Sequence, residues 1–157
     1  MRLVGVCFLV LFILGCTVGF ETDTDEQEVK VPNTYGFYVE SVVETPEEAR
    51  DERVDIEEVI LHYTVLKTGG FATTLAFYAS LDTVADNEKG DADELLLKVD
   101  LGVEDDSVSG ETESTILPIA LSQEKFVVGV ENLTVGLPTD ETTVKFYLTV
   151  KGTYRIW

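Results

Sequence analysis

Seven oxygen-bearing side chains fall within thirteen residues near the middle of the chain, where their density suggests metal chemistry. They surround Gly90 and are Asp82, Asp86, Asn87, Glu88, Asp91, Asp93 and Glu94. Ca²⁺ takes about six to eight oxygen ligands, so Asp82, Asp86, Glu88, Asp91 and Asp93 are candidate calcium ligands. The spacing departs from the EF-hand pattern because Gly90 stands where a ligand belongs. A charge-rich, solvated loop is the alternative interpretation.

Two further features bear on metal binding. Glu104, Asp105 and Asp106 form a second acidic segment, which would share a cation with the first only if the two loops lie side by side. His62 is the single histidine. Since metal sites need several ligands together, we interpret His62 as a structural or surface residue in mid-strand. Apart from calcium, no cofactor is predicted.

The sequence does not favour catalysis. Serine and threonine are numerous, but none lies in a nucleophile-elbow motif with a base partner at motif spacing. Two loop carboxylates could hydrolyse a glycoside at the right separation, and that hydrolase is the least favoured alternative. We therefore predict a protein that is not an enzyme.

Aromatic and polar residues in two strand-like segments suggest a binding face instead. Tyr78 and Thr74 alternate with apolar residues in one segment, and Tyr147, Thr149 and Lys145 do so in another. If the two strands share a sheet, these side chains form a polar-aromatic face suited to sugar or peptide. The alternative is an ordinary wet face of strand-forming residues.

The first sixteen residues determine where the protein works. Arg2 precedes an apolar run from Leu3 to Leu14, of the length expected for the central segment of a secretory signal. The uncharged stretch from Leu3 to Phe20 also reaches the lower limit for a spanning helix, roughly 18 residues. An uncleaved anchor and a plain secretory signal are therefore alternatives.

The residues Ile13, Leu14, Gly15 and Cys16 resemble the lipobox of bacterial lipoproteins. The resemblance implies cleavage between Gly15 and Cys16, a diacylglycerol thioether on the Cys16 sulfur and acylation, for example with palmitate, of the new amino terminus. Several acyl chains give stable anchoring. It further implies an extracytoplasmic protein of the bacterial cell envelope. Thr17, in place of aspartate, is compatible with the outer membrane of a Gram-negative cell.

Charge and cysteine content limit the partners and the stabilising bonds. The chain carries 30 acidic and 11 basic residues, a net charge of −19. Such a surface repels the phosphates of nucleic acid, so no nucleic-acid partner is expected. Both cysteines, Cys7 and Cys16, lie in the first sixteen residues. The domain must then be stabilised by packing and not by disulfides.

We divide the chain into a signal peptide at 1–15, a lipid-anchored acidic tether at 16–33 and one domain at 34–157. The tether contains five carboxylates against Lys30 and is expected to remain extended. In the domain, Val59 to Leu66 and Phe71 to Leu81 alternate around Gly69 and Gly70, which predicts a hairpin. A one-turn helix is expected over 45–50.

Further rows with period two begin at Leu95, Thr115, Phe126 and Val144, and a weaker one begins at Tyr35. Pro118 places the row over 115–121 at a sheet edge. About seven strands predict an all-β, antiparallel β-sandwich, with a small barrel as the alternative. The strand count and rhythm resemble the immunoglobulin-like and fibronectin type III-like domains, and Leu137-Pro138-Thr139 resembles the leucine-proline loop of the latter.

Together these features predict a membrane-anchored, non-catalytic lipoprotein. It would bind an envelope protein or polysaccharide, or serve as a structural part of the envelope. A Ca²⁺-dependent module binding carbohydrate or another small ligand is the alternative.

Overall fold

A computed structural model describes residues 17–134 and 141–156. The predicted signal peptide, Cys16, the Leu137-Pro138-Thr139 motif and Trp157 lie outside these residues. The described chain forms nine strands: β1 Thr17–Asp23, β2 Gln27–Pro32, β3 Tyr38–Glu44, β4 Val54–Lys67, β5 Thr73–Ser80, β6 Glu94–Leu101, β7 Ser107–Glu113, β8 Lys125–Asn132 and β9 Glu141–Arg155. A 3-10 turn, Glu47–Arg50, and a one-turn helix α1, Leu117–Ala120, connect them.

The strands form two antiparallel sheets, so the predicted β-sandwich is confirmed. In the first sheet the order is β1-β9-β4-β7, and β2 pairs with the same edge of β9 as β1 does. The second sheet has the order β3-β8-β5-β6. Alternate residues of both sheets face inward and form one core, whose largest members are Phe77, Phe126 and Phe146.

The predicted tether is wrong over the described residues, because 17–32 belong to the first sheet. Thr17 pairs with Arg155 and Pro32 with Glu141, so β9 satisfies the backbone of β1 and β2. Val29 and Val31 are buried in the core. Strand pairing and these two valines outweigh the self-repulsion of the carboxylates, so residues 17–32 are part of the folded domain and not of a tether before it.

The predicted hairpin of β4 and β5 is also wrong, because the two strands lie in different sheets. The connection between them crosses from one layer to the other and contains Gly69 at a φ of 115°. Lys67, only 5% exposed, stabilises this crossing. Its ammonium donates to the carbonyls of Phe71, Gly102 and Val103 at 2.6, 2.5 and 3.1 Å.

The edge strand predicted around Pro118 is wrong. The row over 115–121 is not an edge strand but contains α1, where Leu117, Ala120 and Leu121 are buried at helical spacing. Pro118 suits the first turn of a helix. Ser107–Glu113, directly after the second acidic segment, forms β7 at the edge of the first sheet. The expected turn over 45–50 is confirmed as the 3-10 turn.

Candidate binding faces and an apolar end

The outer face of the first sheet carries several cross-strand ion pairs between exposed side chains. Lys151 lies 2.7 Å from Glu58, and Lys145 lies 3.5 and 3.2 Å from Glu26 and Glu28. Hydrogen bonds to these carboxylates raise the pKa of both lysines. Because the pairs are exposed, they set the pattern of charge on the face more than they stabilise the fold.

An aromatic pair lies in the middle of this face. His62 of β4 and Tyr147 of β9 are directly opposite in register, and their rings stack with centroids 4.6 Å apart at 15°. His62 Nε2 lies 3.0 Å from Thr149 Oγ1, and its Nδ1 lies 3.6 Å from a carboxylate oxygen of Glu111. The imidazole is therefore held by stacking on Tyr147 and by the hydrogen bond to Thr149, in mid-strand as the sequence predicts.

The direction of the hydrogen bonds bears on what this cluster can do. The Thr149 hydroxyl donates its single proton to Asp23 Oδ1 at 2.7 Å, so His62 Nε2 must be the donor to Thr149. A nucleophilic hydroxyl would need the reverse arrangement, with its proton given to the imidazole. The cluster is thus built to hold an aromatic platform and not to activate Thr149.

A shallow depression of about 260 Å³ lies over this platform. Its walls come from β4, β7 and β9 and from the turn before β2, and they include Glu26, His62, Thr64, Ser109, Lys145 and Tyr147. The depression presents the stacked rings of His62 and Tyr147. Beside them lie the hydroxyls of Thr64 and Ser109 and the opposite charges of Glu26 and Lys145. These are groups that contact a polar ligand with an apolar face, such as a sugar ring or a peptide.

The outer face of the second sheet is covered by the chain's own acidic loop, 82–93. Glu40 of β3 accepts hydrogen bonds from the amides of Asp86 and Asn87 at 2.7 and 2.8 Å. Asp93 accepts from the hydroxyl of Tyr38, also on β3, at 2.9 Å. Burial and this bond to Asp93 raise the pKa of Tyr38 well above its ordinary value.

Lys89 fixes the middle of the same loop. Its ammonium donates to Glu131 and to the hydroxyl of Tyr78, both at 2.8 Å, and lies 4.0 Å from the centre of the Tyr78 ring. The bond to Glu131 is the main reason that the pKa of Lys89 is raised.

The predicted polar-aromatic face, which would join Tyr78 and Thr74 to Tyr147, Thr149 and Lys145, is wrong, because β5 and β9 lie in different sheets.

The candidate calcium ligands are placed in this covering loop. Asp93 accepts from Tyr38 and from the amide of Gly90, Asp86 from the amide of Glu88, and Asp82 from Ser80. Glu88 and Asp91 are exposed. Within 17–134 and 141–156, no three His, Cys, Asp or Glu side chains are grouped as for a metal. The second acidic segment, 104–106, follows the other end of β6.

One end of the sandwich exposes apolar side chains. Val18, Phe20, Tyr154 and Ile156 line a groove of about 460 Å³ whose rim carries Glu47, Glu48 and Asp51. Arg53 lies 4.5 Å from the centre of the Tyr154 ring and forms an ion pair with Asp51 at 2.7 Å. Hydrogen bonds from Arg53 lower the pKa of Asp51. No helix of the described residues is long and apolar enough to cross a bilayer.

The sequence does not reveal several side chains that support these two faces. Asp23, which accepts from Thr149, lies in the predicted tether, and Lys89, which fixes the covering loop, lies in the acidic segment around Gly90. Exposed carboxylates in a polar strand give no signal of their partners, which are set by strand register.

Asn132 begins the triplet Asn132-Leu133-Thr134, which matches the glycosylation pattern. Its side chain is 1% exposed and donates hydrogen bonds to the carbonyl of Pro32 and to the side-chain oxygen of Asn33.

No family model matches the chain, and no curated protein sequence matches it. Solved structures that match the chain include one from the endospore appendages of Bacillus, which form disulfide-linked pili, at 14% identity and a TM-score of 0.37, covering 91% of this chain and 93% of that one. A capsid structure of the Helicobacter pylori bacteriophage KHP30 matches at 7% identity and 0.42, covering 87% and 98%. A carbohydrate-binding module of Cellvibrio mixtus lichenase 5A, in complex with cellotriose, matches at 10% and 0.36, covering 90% and 98%.

Proposed function

We propose that this protein is an extracytoplasmic lipoprotein, anchored through Cys16, whose β-sandwich binds an envelope component without catalysing a reaction. The observation that carries the proposal is the direct junction of two features. The lipobox-like residues end at Cys16, and the first strand of the folded domain begins at Thr17. A lipid on Cys16 would hold the first sheet at the membrane with no spacer between them.

The start of β1 also argues against an uncleaved anchor. Thr17–Phe20, the last part of the uncharged stretch, is paired with β9. This leaves residues 3–16, fourteen positions, which is short of the roughly 18 that a spanning helix needs. Lipidation needs no spanning helix, and it is the anchoring mechanism that the remaining length favours.

The outer face of the first sheet is the binding face that the geometry favours. The corresponding face of the second sheet is covered by 82–93, whereas the His62–Tyr147 platform lies open beneath its depression. The platform is held in place by the bond from His62 to Thr149, and by that from Thr149 to Asp23, before any ligand arrives. Such pre-organisation reduces the entropy lost on binding.

The anchor is tested by intact mass spectrometry of protein extracted from membranes, together with fractionation of two variants. We expect loss of residues 1–15, added acyl mass, and release of Cys16→Ser from the membrane fraction as unprocessed or soluble protein. Cys7→Ser is the matched control, since it changes the other cysteine without altering the lipobox. Protein without acyl mass, or equal behaviour of the two variants, would refute the anchor.

The binding role is tested by capture from detergent-solubilised envelopes, analysed for both protein and polysaccharide. We expect one component to be enriched by the wild type and lost with Tyr147→Ala. Tyr35→Ala is the control, because Tyr35 is exposed and belongs to neither the platform nor its walls. No enrichment over lipid alone, or equal loss with both variants, would contradict the proposal.

A further inference from the structure

Both ends of the described chain meet at the apolar groove. Thr17 is paired with Arg155, so the residue after Cys16 and the last residue of β9 lie side by side. On the next rung, Val18, Tyr154 and Val54 are in register across three strands. The pairing of β1 with β9 therefore forms the groove, and β1 is the strand that directly follows the lipobox-like residues in the sequence.

The groove lies where the first sheet extends past the core. Phe20 still packs against the core, with its ring over Gly152, where a Cβ would come within 2.8 Å of it. Two residues before Phe20, Val18 is 53% exposed, and Ile156, just past the end of β9, is 40% exposed. Nothing in the described chain covers these two side chains, although their neighbours on the same face are packed.

We propose that this apolar end seats in the surface of the bilayer, with Val18 and Ile156 entering the interfacial region of the lipid. The inference rests on the proposed anchor at Cys16. Val18 is two residues from Cys16, and two extended residues span at most about 7 Å. A lipid on Cys16 therefore brings the membrane surface to the groove, and burial of the apolar side chains adds a second contact to the acyl chains.

The charges around the groove select the kind of lipid. Glu47, Glu48 and Asp51 line its rim, while Arg53 and Arg155 lie beside Tyr154 and at the end of β9. The rim carries charges of both signs, which can contact the two opposite charges of a zwitterionic headgroup. Its excess of acidic residues repels anionic headgroups. It also opposes a second copy of the chain as the occupant, because two acidic rims would face each other.

Trp157 provides a reporter, because it is the single tryptophan of the chain and directly follows Ile156. The lipidated, full-length mature protein is reconstituted in phosphatidylcholine vesicles, with and without brominated acyl chains. We expect tryptophan emission to shift to shorter wavelength and brominated lipid to quench it at least about twofold. Val18→Asp should abolish most of the quenching while the protein still floats with the vesicles.

Val103→Asp is the matched control, since Val103 is also a valine, also 53% exposed, and lies beyond the far end of β6. Ile156 lies after the end of β9, so Ile156→Asp should also abolish most of the quenching without disturbing β1. Protein that floats with vesicles while Trp157 is unquenched would overturn the inference and leave the anchor intact. A shifted but unquenched emission would indicate a second copy or a peptide in the groove and would also overturn it. Protein that does not float would refute the anchor itself.

Discussion

The imidazole of His62 lies parallel to the ring of Tyr147, and a threonine that is itself bonded to Asp23 holds it there. Because Thr149 gives its proton to Asp23, we predict that His62 carries a proton on Nε2. Nitrogen NMR of the imidazole should show this, and Thr149→Val should change the Nε2 signal. A neutral ring protonated only on Nδ1 would contradict the hydrogen-bond directions.

We expect Lys67→Met to destabilise the domain by about 3 kcal/mol, since each buried carbonyl left without a donor costs roughly 1 to 3 kcal/mol. The ammonium of Lys67 serves three carbonyls from two loops. Urea denaturation measures the change, and Lys125→Met is the control because Lys125 is exposed. Equal effects of the two substitutions would show that the buried ammonium contributes little.

Gly129→Ala should also be strongly destabilising, because a methyl group at this position would overlap the ring of Tyr38. Tyr38 would be displaced from Asp93, and the covering loop would lose one of its attachments. Thermal melting measures the effect, with Gly19→Ala as the control, since a Cβ at Gly19 meets nothing within 4 Å. Tyr38→Ala should partly rescue Gly129→Ala, and its failure to do so would locate the strain elsewhere.

Alkaline pH should loosen the covering loop. The pKa values of Tyr38 and Lys89 are raised above their ordinary values of 10.0 and 10.5. Above those values the unfolded chain loses both protons while the folded chain keeps them, so stability is intact below about pH 10 and falls as pH rises further.

Denaturation midpoints and the ultraviolet absorbance of tyrosinate, followed from neutral pH upward, measure this loss. Tyr38→Phe should flatten the pH dependence and remove the tyrosine that resists ionisation. A wild type whose stability does not fall in this range would contradict the raised pKa values.

Calcium should leave the stability of the domain nearly unchanged. Asp86 and Asp93 accept hydrogen bonds from the loop's own amides and from Tyr38, so a cation would have to break bonds that hold the loop. Melting curves with Ca²⁺ and with EDTA are expected to coincide. A rise of several degrees in Ca²⁺ would contradict this expectation and support the calcium hypothesis.

Local patterns in the sequence predicted the two-layer fold, because inward rows such as Val144, Phe146 and Leu148 alternate regardless of which strand they meet. Pairing between distant strands was not predictable in this way. Val29 and Val31 are only two apolar residues in an acidic stretch, and their burial depends on β9, more than a hundred residues away. Leu117 and Leu121 fit a period of two as well as a helical spacing, and Pro118 is compatible both with an edge strand and with the first turn of a helix.

The candidate site was predictable only in part. His62 and Tyr147 could each be placed on a polar face, but their stacking depends on the register of β4 against β9. The bulge between Ile56 and Glu58 shifts that register by one residue, and no local signal in the sequence marks it. The covering of the second sheet by 82–93 likewise depends on Glu40, Tyr38 and Glu131, which lie far from the loop in sequence.

The central position of β9 has a consequence for biogenesis. Among the described strands, β1 and β2 pair only with β9, which also joins them to the β4–β7 pair. The first sheet therefore cannot be completed until residues 141–155 have been synthesised. A chain that stops before Glu141 contains every strand of the second sheet but leaves β1 and β2 without a partner strand. Because unpaired strand backbone is accessible to proteases, we expect such a chain to be cleaved more readily than the finished protein.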